Sequence, residues 1–168
     1  MTWLAVGTLA VTAAVCDLRT RRVPNVLTFG ATAVGLAFAL LKAGLSGLLA
    51  NLLASGIGFA LFLPLFALGG MGAGDVKLLA AFGAWLGPIA TLWAGLWAAL
   101  AGGIMAVVVG ASHGYLRDAM RNLGAMIAVW RTVGPSPIPE LTLRESRAPR
   151  LAYALPIGIG AIVALWHR

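Results

Sequence analysis

This chain of 168 residues has few charged residues and almost no cysteine. Only 10% of its residues are charged, five of them acidic, and it has one cysteine, Cys16. A single thiol cannot form an internal disulfide or a cysteine-rich zinc site. By contrast, 61% of the residues are hydrophobic and the mean hydropathy is +0.95. A soluble domain of this size has too little interior to bury that much apolar surface, so the composition predicts a polytopic membrane protein.

Six apolar runs predict an all-α protein with six transmembrane helices, since a chain in lipid must satisfy its own backbone polar groups. The runs lack the alternation of β-barrel strands. They cover about residues 2–16, 26–41, 45–68 (with a kink expected at Pro64), 76–86, 89–111 and 151–166. The first and fourth runs are shorter than the roughly 20 residues that cross a bilayer. Each becomes longer if its helix includes the neighbouring aspartate, Asp17 or Asp75.

The basic residues predict the orientation in the membrane. Ten of the twelve would lie on one side, after the first, third and fifth runs. By the positive-inside rule that side is cytoplasmic, and both termini face outward. Because the basic residues are scattered between apolar runs, we expect them to set topology and do not expect nucleic-acid binding. No basic residues precede the first run and Val15 is large for a cleavage site, so we expect this run to be retained.

The segment between the fifth and sixth runs has a helical pattern of its own. From Tyr115 to Val133, apolar residues recur at helical spacing, and Arg117, Asp118 and Arg121 lie between them. This pattern predicts an amphipathic helix on the cytoplasmic membrane surface. The following stretch "GPSPIPE", residues 134–140, is expected to end it. We find no internal repeat and expect residues 1–168 to form one domain.

Asp17 and Asp75 are the candidate catalytic residues. The predicted topology places both on the cytoplasmic side at similar depth. A carboxylate costs ~2.5–3.5 kcal/mol at the centre of a membrane, so one kept near it tends to be paired or functional. Two carboxylates brought together share a proton, which is the basis of aspartic protease chemistry. Nothing in the sequence groups three or four metal ligands, so we expect neither a metal nor a cofactor.

The residues around the aspartates suggest how a substrate would be admitted. Gly72 and Gly74 have no side chains, so a peptide backbone could come close to Asp75. Lys77 is expected to point away from the Asp75 face and to mark the cytoplasmic boundary. Pro24 and Asn25 are expected to begin the second span by helix-entry chemistry, and with Lys77 they complete the candidate loop and substrate-binding residues.

Two motifs carry a family resemblance. "DLRTRRVPN" (Asp17 to Asn25) followed by "GAGDVK" (Gly72 to Lys77) resembles the prepilin peptidase, or type IV leader peptidase, family, and "YALPIGIGAIVAL" (Tyr153 to Leu165) resembles its closing helix. The resemblance implies six transmembrane helices and a metal-free aspartic endopeptidase of the bacterial inner membrane. Such enzymes remove the basic leader from pilin and pseudopilin precursors at the cytoplasmic face.

The resemblance also implies residue roles and limits. It assigns catalysis to Asp17 and Asp75 and the motif glycines to Gly72 and Gly74. Larger relatives methylate the new N-terminus and carry a cysteine-containing insertion. This chain lacks that insertion, so methylation is not expected, and it is similar to the compact Tad/Flp-pilus (CpaA-like) branch.

Other interpretations remain open at the sequence level. A presenilin-like intramembrane protease also uses Gly-x-Gly-Asp, but pairs it with Tyr-Asp, where this chain has Cys16 before Asp17. A small proton- or cation-coupled transporter could use the same aspartates. The aspartates could also simply balance the arginines that follow Asp17. The stripe Gly95, Ala99 and Gly103 indicates helix packing, within the chain or in a homo-oligomer.

Overall fold

The computed structural model describes residues 1–134 and 151–166. In this part of the chain every regular element is a helix, which confirms the all-α class. Residues 135–140 of the expected proline break lie outside the described residues, as do the arginines at 144, 147 and 150. The helices are α1 (Thr2–Thr20), α2 (Asn25–Ala67), α3 (Ala73–Leu86), α4 (Pro88–Ser112), α5 (Leu116–Val133) and α6 (Ala154–Trp166).

Three of these helices, α1, α2 and α4, are long and apolar enough to cross a membrane, and α6 is a shorter apolar helix. As expected, α1 and α3 both include their aspartates. The last helix begins at Ala154, three residues after the start of the sixth apolar run. The amphipathic segment forms α5 close to its predicted bounds.

The helix α2 corresponds to two of the predicted spans, with a break between them. Ala43 and Gly44 have non-helical dihedrals, and Gly44 has a φ of 64°. A Cβ placed on Gly47 would lie 2.7 Å from the carbonyl oxygen of Ala39. Eight residues of straight helix would separate these positions by about 12 Å along the axis. The chain therefore folds back at the break, and α2 forms a helical hairpin. Pro64 lies within the second arm of this hairpin, away from the non-helical residues.

The short helix α3 lies at the centre of the bundle. Both arms of α2 pack against it: Gly35 faces Trp85, and Gly58 faces Leu79. Trp85 Nε1 donates to the carbonyl oxygen of Ala31, at 2.9 Å. A helix with neighbours on every side buries apolar residues all around its circumference. Its buried residues are Val76, Leu78, Leu79, Ala81, Phe82, Gly83, Ala84 and Leu86.

Small residues bring α4 and α6 into contact, but not the ones that the sequence singled out. Gly95 is buried and faces Leu61, whereas Ala99 and Gly103 are exposed. The face that packs on α6 is formed by neighbours of these residues, because a Cβ on Gly160 would collide with the backbone of Ala94 and Ala98. Close approach of backbones strengthens van der Waals packing, which drives helix association in lipid. Within the chain, Gly95, Ala99 and Gly103 therefore do not form one contact surface, and packing between chains through Ala99 and Gly103 stays a prediction.

Candidate active site

The end of α1 carries Asp17 into the bundle. Arg21 adopts a left-handed conformation, φ 53°, and its N–H donates to the Asp17 carbonyl oxygen, which ends the helix one turn after the aspartate. The side chain of Asp17 is only 6% exposed. Its Oδ2 accepts a hydrogen bond from the backbone N–H of Ala154, at 3.1 Å. The first residue of α6 therefore fixes a carboxylate that lies 137 positions earlier in the chain.

Asp75 lies in the first turn of α3, with Gly72 as the N-cap. The Gly72 N–H donates to Asp75 Oδ2, at 3.2 Å, and the Asp75 N–H donates back to the Gly72 carbonyl oxygen, at 3.1 Å. A carboxylate at this position also interacts favourably with the positive end of the helix dipole. Asp75 is half-buried, so this carboxylate is the more accessible of the two.

The helix ends bring the two aspartates together. Asp17 is near enough to Asp75 for the two carboxyl groups to interact electrostatically. Among the described residues, neither Arg19 nor Arg22 forms an ion pair with either aspartate. The alternative that the aspartates only balance Arg19 or Arg22 therefore gains no support from this part of the chain.

The two glycines of the motif have ordinary backbone conformations. Gly72 has a φ of −80°, and Gly74 is not among the described glycines with positive φ. A requirement for a left-handed turn at these positions is therefore excluded. A Cβ on Gly72 would instead lie 3.1 Å from Asp75 Oδ2, and one on Gly74 would lie 3.4 Å from the Cβ of Val23. Both glycines thus make room for site residues of this chain.

Lys77 contacts the motif that runs from Asp17 to Asn25, and the sequence did not predict this contact. Its Nζ donates to Asn25 Oδ1, at 3.0 Å, and lies 5.4 Å from the centre of the Phe29 ring. Pro24 is the N-cap of α2, with φ −62° and ψ 137°, so the expected helix entry at Pro24 and Asn25 is present. Lys77 therefore joins the start of α3 to the start of α2 beside the aspartates.

Sequence reasoning missed Tyr153 and Ala154 as residues of this site. Ala154 holds Asp17 through its backbone, which no side-chain pattern reveals. Tyr153 is near enough to Asp75 to interact with it electrostatically. A signal for Tyr153 was available: it is one of two tyrosines, and it precedes the last apolar helix at the end where the topology places both aspartates.

No three His, Cys, Asp or Glu side chains within residues 1–134 and 151–166 are grouped to hold a metal ion. Comparison with known proteins gives one family match. The model of the type IV leader peptidase family matches residues 4–107, a range that includes both aspartates and both motifs around them. No curated protein and no solved structure matches the chain significantly.

Proposed function

Because the chain belongs to the type IV leader peptidase family, we propose that it is an aspartic endopeptidase that uses Asp17 and Asp75 as a catalytic pair. The family indicates a peptidase and, in general terms, prepilin substrates. The observation that carries the aspartic assignment is the juxtaposition of the two carboxyl groups at one end of the bundle, where each accepts a backbone hydrogen bond.

The proposed chemistry requires one proton shared by the pair. One carboxylate takes a proton from water while the water oxygen adds to the carbonyl carbon of the scissile peptide. The other, protonated, carboxyl group donates its proton to the carbonyl oxygen. When the tetrahedral intermediate collapses, the carboxyl group that took the water proton gives it to the nitrogen, and the C–N bond breaks. One hydroxyl of the intermediate gives its proton to the other carboxylate as the carboxyl product forms. The pair then again holds one proton and can bind the next substrate.

The proposed substrate is a prepilin or pseudopilin, of the Flp type, whose basic leader precedes an apolar helix. The apolar helix would lie in the lipid beside the bundle while the leader stays at the cytoplasmic face of the inner membrane. Many exposed side chains of α2 and α4 are large and apolar, which suits helices that face lipid. We propose cleavage without methylation, since the chain has no cysteine-containing insertion of the kind found in larger relatives.

Co-expression with a pilin precursor encoded near the gene tests this function. We expect the wild-type protein to shorten the precursor at the junction between the leader and the apolar helix. Asp17→Asn and Asp75→Asn should each abolish the product, because an amide is nearly isosteric but cannot take up and return the proton. The measurement is the N-terminal sequence and amount of the processed pilin.

Membrane levels of both variants serve as the control, since each should insert like the wild type. Substantial processing by either variant would reject the catalytic pair. An unprocessed precursor with the wild-type protein, tested across the precursors encoded nearby, would reject the leader peptidase function itself.

A further inference from the structure

Tyr153 places a hydrogen-bond donor, its phenol hydroxyl, near the two aspartates. It directly precedes Ala154, whose N–H holds Asp17, and it is near enough to Asp75 to interact electrostatically. In the described part of the chain the Tyr153 hydroxyl makes no hydrogen bond. A phenol donates one hydrogen bond and stays protonated at neutral pH. Among residues 1–134 and 151–166, this donor therefore has no acceptor.

The ring of Tyr153 packs against Gly102 of α4. A Cβ on Gly102 would lie 2.8 Å from Tyr153 Cε1 and 3.5 Å from its hydroxyl oxygen. Gly102 is buried, and Tyr153 packs partly buried against the core. An alanine at 102 could not keep the ring in this place. The absence of a side chain at Gly102 thus leaves the space in which the Tyr153 ring lies.

We propose that Tyr153 is a further catalytic residue, whose hydroxyl donates a hydrogen bond to the carbonyl oxygen of the scissile peptide as the tetrahedral intermediate forms. This inference rests on the proposed function. Water attack places negative charge on that oxygen, and the protonated aspartate neutralises it by proton transfer. Tyr153 transfers no proton; its hydrogen bond stabilises the oxygen while the charge develops. A donor that is already in place for the transition state lowers the barrier without reorganisation.

The test is Tyr153→Phe in the full-length protein, assayed in detergent with the precursor that the wild type cleaves. The variant keeps the ring that packs on Gly102 and removes only the hydroxyl. Loss of one such donor typically lowers kcat about 10²–10³-fold. We expect a loss of this size in kcat with KM changed little, because the bond strengthens only in the transition state. Tyr115→Phe, which changes the chain's other tyrosine, should leave both constants unchanged.

Gly102→Ala is the second test, because it should displace the ring while keeping the hydroxyl. We expect it to lower kcat as well, by less than Tyr153→Phe. If Tyr153→Phe does not accumulate in the membrane, Gly102→Ala decides, and full kcat would overturn the proposal. A purely structural role for Tyr153 predicts that the Phe variant has wild-type kcat, and this result would also overturn it. Asp17→Asn, assayed in parallel, separates failure of this inference from failure of the proposed function. If Asp17→Asn is inactive and Tyr153→Phe is fully active, only the role of Tyr153 is rejected. If the wild type is inactive, the peptidase function is rejected and this inference with it.

Discussion

At the scale of residues, the site is built from backbone groups at the ends of helices. Ala154 and Gly72 each donate a backbone N–H to one aspartate, at 3.1 and 3.2 Å. A carboxylate held by main-chain donors loses little freedom when a substrate arrives, because the donors are already fixed by their helices. Mutation of a side chain cannot remove these donors, but a new side chain next to them can displace the aspartate.

Gly72 offers the sharpest test of this arrangement. A Cβ there would lie 3.1 Å from Asp75 Oδ2, closer than most real contacts. We expect Gly72→Val to move the carboxyl group and to lower cleavage about 10²-fold, the size of loss that a misplacement near 1 Å can cause. Gly74→Val should also lower cleavage, by pressing on Val23. Pilin processing in membranes containing each variant measures the effect.

Ala73→Val is the matched control, since Ala73 lies between the two glycines, is exposed and already has a Cβ. It should stay close to the wild-type rate. If Gly72→Val and Gly74→Val both cleave normally, the lack of side chains at these positions does not matter to the site.

At the scale of elements, the helical hairpin of α2 surrounds α3 and thereby positions Asp75. The first arm runs parallel to α3, since Asn25 bonds to Lys77 and Ala31 to Trp85. The second arm runs antiparallel, with Gly58 near Leu79 and Asn51 bonded to Ala84. Because α2 is broken at Ala43 and Gly44, its two arms cross the bundle in opposite directions.

Gly44 should therefore be needed for stability. Its φ is 64° and its ψ is −154°, which lies in a region that is accessible almost only to glycine. We expect Gly44→Ala to destabilise the protein by about 1–3 kcal/mol. Gly56→Ala is the control, because Gly56 is helical and a Cβ there would meet nothing within 4 Å. It should be neutral or stabilising. Unfolding in mixed detergent micelles compares the two, and equal stability would contradict a glycine-dependent turn.

The helix α5 differs from the others in having both charged and apolar faces. Arg121 pairs with Asp118, at 3.2 Å, with both side chains well exposed. Met120, Leu123 and Ile127 are also exposed, although they lie at helical spacing on an apolar face. Its main contact with the bundle is with α4. These features fit a helix whose apolar face enters the membrane surface, as the sequence predicts.

At the scale of the whole molecule, the helix ends assemble the site on one side. Several helix ends lie at the end of the bundle that contains Asp17 and Asp75. There α1 and the second arm of α2 end, and the first arm of α2, α3 and α6 begin. The basic segments after the first and third apolar runs are at this same end. The candidate site and these basic segments therefore lie at one end of the bundle, and the positive-inside rule predicts that this end is cytoplasmic.

Reporter fusions test this topology. We expect insertions after Arg22, Gly69 and Ser112 to report a cytoplasmic location, and insertions after Gly44 and at both termini to report the opposite side. Alkaline phosphatase and green fluorescent protein fusions give complementary signals at each site, which controls for poor expression. A cytoplasmic C-terminus would mean that the number of crossings is not six, and the basic segments would then not share a side.

The sequence by itself determined the class, the helices and the candidate pair. Continuous apolar runs need helices in lipid whatever their neighbours are, so the bounds of α1, α3 and α4 follow from local composition. Asp17 and Asp75 were identifiable because a carboxylate is costly next to an apolar helix. The family motifs lie in short, contiguous stretches, which is why they could be read without a structure.

Only the tertiary structure decided which groups meet at the site. Contacts between helices depend on crossing geometry and on helix rotation, and apolar composition specifies these weakly because lipid is as apolar as a neighbouring helix. The sequence therefore did not show which small residues of α4 pack on α6, nor that Lys77 bonds to Asn25. It could not show that Ala154 holds Asp17, since every residue but proline has the same backbone N–H. Folding brings the Ala154 N–H to this carboxylate, and it brings Tyr153 near the aspartates with it.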